Sequence, residues 1–205
     1  MSQPQAAKND KSLRGRRNRD VRCREYLLED EVEALIKAAR SNRYGLRDST
    51  IIMLGYRHGL RVGEIVRLRW AQIDFRDRQI HMQRLKHGIN TVHPLHEKEI
   101  RALKQLQSEL IAQGQSHRYP FVFASERGGA MTNRAVQFMI AKTGVKADLP
   151  FPVHPHMLRH SCGYYLANQG YDTRLIQDYL GHREIRHTVA YTVLASNRFE
   201  NLWSD

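Results

Sequence analysis

The hydrophobic period of this chain changes twice, and the change limits what it can fold into. In the first third, apolar residues recur three and four apart. Val32, Leu35, Ile36 and Ala39 form one stripe, Ile51, Ile52, Leu54 and Tyr56 a second, and Ile65, Val66 and Leu68 a third. That spacing gives each segment one apolar helical face. After Trp70 the period drops to two, with Ile73 and Phe75, then Ile80, Met82 and Leu85, then a third run around Asn90–His93. Alternation marks half-buried strands, and the Lys86-His87-Gly88 turn joins the last two as a hairpin. Pro94 is expected to break the sheet. Helical spacing then returns, with Ile100, Leu103, Leu106 and Leu110 striping a helix over 97–113. The reading is a mainly α protein with a small antiparallel β-sheet (α+β) inserted near 72–93.

Local signals place the remaining boundaries. Glu29-Asp30 put acids in the first turn of the first helix. Gly59 closes a helix over 46–58, and a short helix follows over 61–69. Phe121-Val122-Phe123 reads as a brief buried extended segment. Thr132 caps a helix over 133–143, and Pro155 opens one that runs to Asn168 and stops at Gly170. Asp172 caps the next, which ends at Gly181. Short helices over 184–193 and 196–203 finish the chain.

Charge narrows the function. Lys and Arg number 33 against 21 Asp and Glu, a formal net charge of +12. A polyanionic partner follows, with nucleic acid the default. Residues 1–24 hold half of that excess and almost no apolar side chain. They cannot form a core and are expected to stay unfolded when free. The functional reading is an arm that contacts DNA through Arg14, Arg16, Arg17, Arg19, Arg22 and Arg24, and the bland one a solvated tail. Residues 25–205 would be the folded domain. Cys23 and Cys162 fit no metal spacing, which points to a reduced, cytoplasmic protein. No stretch approaches a membrane span, and no apolar leader opens the chain.

Six scattered residues carry the chemistry: Arg61, Lys86, His156, Arg159, His182 and Tyr191. Arginines fork onto phosphate oxygens as fixed charges. Histidine and lysine move protons, and a tyrosine hydroxyl can attack phosphorus. Arg61 opens a helix, where anions are already favoured, and Glu64 three residues on can brace it from behind. Lys86 sits at a hairpin tip. His156 and Arg159 share a helix face, with His160 one turn on from His156. His-x-x-x-His can bind zinc, but no glutamate follows the first His and the adjacent arginine opposes a cation, so no metal is expected. His160 reads as a buried histidine that holds its helix in place. His154 has no assigned role. Of the nine tyrosines, Tyr164, Tyr165, Tyr171 and Tyr179 read as core, and Tyr191 is set apart by the context that precedes it, nine residues past His182.

In this order the elements Gly59-Leu60-Arg61-x-x-Glu64, hairpin Lys86, His156-x-Leu158-Arg159-His160, Leu180-Gly181-His182 and Tyr191 resemble the tyrosine recombinases of the phage integrase family, over about residues 26–203. The runs Pro155–Gly163 and Asp172–Arg183 are similar to the small fimbrial phase-switch invertases. The resemblance implies the tyrosine-recombinase catalytic-domain fold. It also implies a Tyr191 nucleophile that forms a 3′-phosphotyrosyl bond, with Arg61 and Arg159 on the nonbridging oxygens and His182 on the phosphate. Lys86 would protonate the leaving 5′-oxygen, and His156 would act as acid/base toward the tyrosine. No cofactor, ATP or metal is implied. The partners implied are double-stranded DNA with short inverted repeats, four protomers on two DNA sites, and accessory DNA-bending proteins that help a chain with only a basic tail ahead of its catalytic domain. The place of action implied is the nucleoid. The expected function is site-specific DNA inversion that switches a promoter-type element. An integrase or excisionase of a mobile element and a non-enzymatic DNA-binding regulator are the alternatives. The apolar end with Phe199, Leu202 and Trp203 would dock in cis as a terminal helix or in trans on a neighbour.

Overall fold

The computed structural model describes residues 24–85, 87–112, 120–126 and 129–194. Lys86, Arg14, Arg16, Arg17, Arg19, Arg22 and the helix expected over 196–203 lie outside the described residues. Helix α1 (Glu29–Arg40) starts with Glu29, Asp30 and Glu31 and ends with Lys37 and Arg40, charges that complement its dipole. It buries Val32, Leu35 and Ala39 against α2 (Gly45–Arg57), whose Ile51, Ile52 and Leu54 are fully buried. Helix α2 stops at His58 because Gly59 takes a left-handed φ of +58°, where only glycine is at ease. Short α3 (Val62–Arg67) follows, then a 3-10 turn at Trp70–Gln72.

The sheet has three antiparallel strands in chain order: β1 (Ile73–Asp74), β2 (Gln79–Met82) and β3 (Thr91–Pro94). Ile73 pairs with Ile80, Ile80 with His93, and Met82 with Thr91. Ile80, Met82 and His93 point into the core, while Gln79 and His81 face solvent, as the alternation requires. Two expected strand residues fall outside it. Phe75 lies in a turn, because the Asp74 carboxylate accepts from the N–H groups of Arg76 and Asp77 at 2.9 Å each and curls the chain away. Leu85 lies past the end of β2. Pro94, the residue expected to break the sheet, is the last of β3, opposite Gln79.

Helices α4 (Glu97–Ala112), α5 (Asn133–Lys146), α6 (Pro155–Asn168), α7 (Thr173–Leu180) and α8 (Arg186–Leu194) complete the described fold. Thr132 caps α5 through Ala135 N–H at 3.1 Å. Asp172 caps α7 through Arg174 and Leu175, and Gly181 ends it at φ +65°. One core joins α1–α6 and the sheet. A second, smaller one packs Cys162 and Ala167 of α6, Ile176 and Leu180 of α7 and Tyr191 of α8. The tyrosine singled out from the sequence is therefore a core residue whose hydroxyl faces inward. Tyr165 and Tyr171, expected in the core, are exposed instead. No helix among the described residues is long and apolar enough to cross a membrane.

Candidate active site

The site forms where the C-terminal end of α2, the N-terminus of α3, the β2–β3 hairpin and helices α6 to α8 converge. A helix end leaves carbonyls without intrahelical partners. Here three in a row are used. Arg57 O accepts from Tyr179 Oη at 2.9 Å and Cys162 Sγ at 3.5 Å, His58 O from Arg84 Nη2 at 3.0 Å, and Gly59 O from Arg84 and Arg159. Arg159 also donates Nη2 to Leu180 O at 2.7 Å, at the end of α7. Its guanidinium is thus fixed between two helix C-termini, and the side chain is only 1% exposed. Burial, then the charges of Arg61 and Arg84, lower its pKa to about 10.

Arg61 is the N-cap of α3 and the more open of the two arginines. Its Nη1 donates to Glu64 Oε1 at 2.9 Å and its backbone N–H to Glu64 Oε2 at 3.0 Å, the brace the spacing predicted. Glu64 does more than brace Arg61. It also accepts from Arg84 Nη1 at 3.1 Å and Leu85 N–H at 3.0 Å, so both carboxylate oxygens are saturated. Burial alone would raise its pKa. Arg84, the two backbone donors and Arg159 outweigh burial and hold it below the usual carboxylate range.

Helix α6 lays His156, Arg159, His160 and Gly163 along one face, at spacings of three, four and seven. Helix α8 packs against that face and brings Tyr191 Oη to 3.0 Å from His160 Nδ1. The approach requires Gly163, since a Cβ there would stand 2.5 Å from the Tyr191 ring. Burial raises the phenol pKa to about 12, against the pull of Arg159 and Arg61. His160, read from the sequence as a helix anchor, is the ring in contact with the phenol. His156, exposed, meets His160 edge-on with ring centroids 4.4 Å apart. His182, just past the αL cap of α7, is buried, and its Nδ1 lies 2.8 Å from Thr188 Oγ1. Burial, then Arg159 and Arg61, lower its pKa to about 3, so the ring is neutral near pH 7.

Lys86 lies outside the described residues, but its neighbours are placed at the site. Leu85 N–H is held by Glu64, and Ile89 N–H donates to Gly181 O at 3.4 Å. Arg24, expected in the DNA-contacting arm, instead pairs with Glu31 and lies over the rings of Tyr26 and Phe151. Arg24 is therefore packed on the described domain. His154, left without a role by the sequence, lies 3.1 Å from Glu25.

The run Arg84-Leu85-Lys86 shares the fimbrial-invertase pattern, but sequence reasoning gave Arg84, whose side chain is fully buried, no role, and it missed the cluster of His58, His93 and Glu99 behind it. There His58 Nδ1 faces His93 Nδ1 at 3.1 Å, and His58 Nε2 faces Glu99 Oε1 at 2.9 Å. A basic residue buried beside a strand end has no local signature. Gly163 could have been found, because a glycine inside a helix marks a close approach.

Two guanidiniums, neutral imidazoles and a phenol converge here with surplus positive charge. Such a set can bind a phosphodiester and carry out attack at phosphorus. Comparison with known proteins agrees. The model of the phage integrase family matches residues 25–198. The type 1 fimbriae regulatory protein FimB of Escherichia coli (strain K12) is 44% identical over 185 residues, which cover 90% of this chain and 92% of FimB. Among solved structures, the XerA recombinase superposes with a TM-score of 0.74 at 28% identity, covering 85% of this chain and 62% of that one. Lambda integrase, solved as a tetramer on a Holliday junction, shares the fold at 19% identity and a TM-score of 0.65, with 88% of this chain and 50% of that one covered. This chain belongs to the phage integrase family, the tyrosine-type site-specific DNA recombinases.

Proposed function

We propose that the chain cleaves and rejoins DNA at short inverted repeats through Tyr191. In the cleavage step, Tyr191 Oη forms a bond to the scissile phosphorus as the bond from phosphorus to the 5′-oxygen breaks. The product is a 3′-phosphotyrosyl link and a free 5′-hydroxyl. Arg61 and Arg159 hold the nonbridging oxygens, and their charge offsets what builds up there in the transition state. His160 is the base within reach of the phenol proton. His156, beside it at the exposed edge, is the second acid/base. His182 hydrogen-bonds the phosphate, and Lys86 supplies the proton to the leaving 5′-oxygen. Rejoining is the reverse attack by a partner 5′-hydroxyl. The phosphoester energy is kept in the tyrosyl bond, so the cycle needs no ATP.

The observation that carries this reading is the 3.0 Å contact between Tyr191 Oη and His160 Nδ1, on the helix face that also presents Arg159. The likeness to a fimbriae regulatory protein supports inversion of a promoter-type element as the outcome. On this reading four protomers act on two DNA sites in the nucleoid, with DNA-bending proteins assisting. Residues 25–205 form the catalytic domain, with Arg24 held on it by Glu31, and residues 1–23 form an arm on the DNA backbone. The test is a denaturation-resistant protein–DNA adduct on nicked DNA that carries the inverted repeat. Wild type should form it, while Tyr191→Phe should bind the same DNA and form none. Recombination by Tyr191→Phe at the wild-type rate would remove Tyr191 as nucleophile.

A further inference from the structure

Arg84 shares an acceptor with each of the two site arginines. Glu64 accepts from Arg61 and from Arg84 at 3.1 Å, and Gly59 O accepts from Arg159 and from Arg84 at 3.4 Å. The same guanidinium donates to His58 O at 3.0 Å and Tyr179 O at 2.7 Å. It therefore spans the end of α2, the start of α3 and the end of α7, while its own backbone N–H is held by Asn90 Oδ1 across the hairpin at 2.9 Å. Two glycines make way for it. A Cβ on Gly88 would lie 2.8 Å from Arg84 Cβ, and one on Gly181 would lie 2.8 Å from Arg84 Cγ. Only a planar fork reaches acceptors in that spread, and lysine, a point charge, does not. A buried cation so close to two others also adds to the positive potential where a phosphate would sit, in a region shielded from water.

We infer that Arg84 is a positioning residue for DNA cleavage: it never touches the phosphate, but sets Arg61 through Glu64 and Arg159 through the Gly59 carbonyl, and so couples docking of the β2–β3 hairpin to assembly of the arginine clamp. The inference rests on the assignment of Arg61 and Arg159 as phosphate ligands.

The test is single-turnover adduct formation by the full-length protein at saturating concentration. Two nicked substrates are compared, one with the native scissile phosphate and one with a methylphosphonate, whose uncharged phosphorus group demands less of the cations. Arg84→Lys keeps the charge and removes the fork. A misplaced clamp should slow the native substrate about a hundredfold, with DNA affinity retained, when assayed well below the variant's own melting temperature. The slowing on the methylphosphonate should be much smaller. Equal slowing on both substrates would reduce Arg84 to a packing role, and an undiminished native rate would remove it from the site; either overturns the inference. Asn90→Ala, at an exposed position, keeps the test open should Arg84→Lys not fold. It should give the same substrate-dependent slowing in smaller measure, and equal slowing would again overturn the inference. A wild-type protein that binds its site and forms no adduct on either substrate would instead overturn the nucleophile assignment, and this inference with it.

Discussion

The ring of Tyr191 rests on the backbone of Gly163, with its Cδ2 and Cε2 atoms 2.5 Å from where a Cβ would stand. Glycine inside a helix costs about 1 kcal/mol relative to alanine, so its place in the middle of α6 trades helix stability for that contact. Gly163→Ala should keep the fold, since the change favours the helix, but push the ring off α6 and break the bond to His160. Adduct formation should fall about a hundredfold, as for a displaced reacting group, with little change in melting temperature. An unchanged rate would mean that Tyr191 reacts from somewhere other than this docked position.

His160 and His156 differ in their reach to the phenol. His160 Nδ1 is in contact with Tyr191 Oη, and His156 meets only the His160 ring. A positioned base contributes about 10²–10⁴-fold. His160→Gln should therefore slow adduct formation more than His156→Gln does. The reverse order, measured on the same nicked substrate, would show that DNA binding turns the tyrosine toward His156.

The features legible in the sequence were local ones. Arg61 with Glu64, His156 with Arg159, the Asp172 cap and the Gly181 stop all act within one or two helical turns, where spacing dictates geometry. The change of hydrophobic period placed the sheet, but not its ends. Phe75 follows the alternation, yet the Asp74 side chain turns the backbone before it can pair. The role of Arg84 was hidden for a different reason. Its partners are Glu64, the carbonyls of His58 and Gly59, and Tyr179 O, brought together by tertiary packing of separate elements. The His58–Glu99 contact joins residues from α2's end and α4 in the same way. Tyr171 misled because it lies in the connection between α6 and the Asp172 cap of α7, where it stays exposed.

Two buried histidines should make stability depend on pH. Burial, then the charges of His58 and Arg84, lower His93 to about 3. Burial, then Arg159 and Arg61, lower His182 to about 3. In the unfolded chain each takes up a proton near pH 6.5. A lowered folded pKa means that the unfolded state binds more protons as pH falls. Stability is therefore full above about pH 6.5 and declines below it, down toward pH 3. The slope is at most about 1.4 kcal/mol per pH unit for each histidine. Urea unfolding at pH 7, 6 and 5 should show this decline, and His93→Gln should make it shallower. A parallel decline in the variant would exclude His93 as a contributor.

The residues before Arg24 should act on affinity and leave the chemistry alone. Lys8, Lys11, Arg14, Arg16, Arg17, Arg19 and Arg22 face only Asp10 and Asp20, and the converged site is built without them. Arg24 is held by Glu31 and should stay in any truncation. Each phosphate that the arm neutralises adds about 0.9 to the log–log salt slope of DNA binding. Deleting residues 1–23 should flatten that slope by roughly one unit for each phosphate no longer neutralised. It should weaken binding most at low salt, where the counterion term is largest. At saturating protein the rate of adduct formation should not change, because Arg61, Arg159 and Tyr191 are set by α3, α6 and α8. An unchanged salt slope would show that the arm does not touch DNA. A lower saturated rate would show that it helps assemble the site.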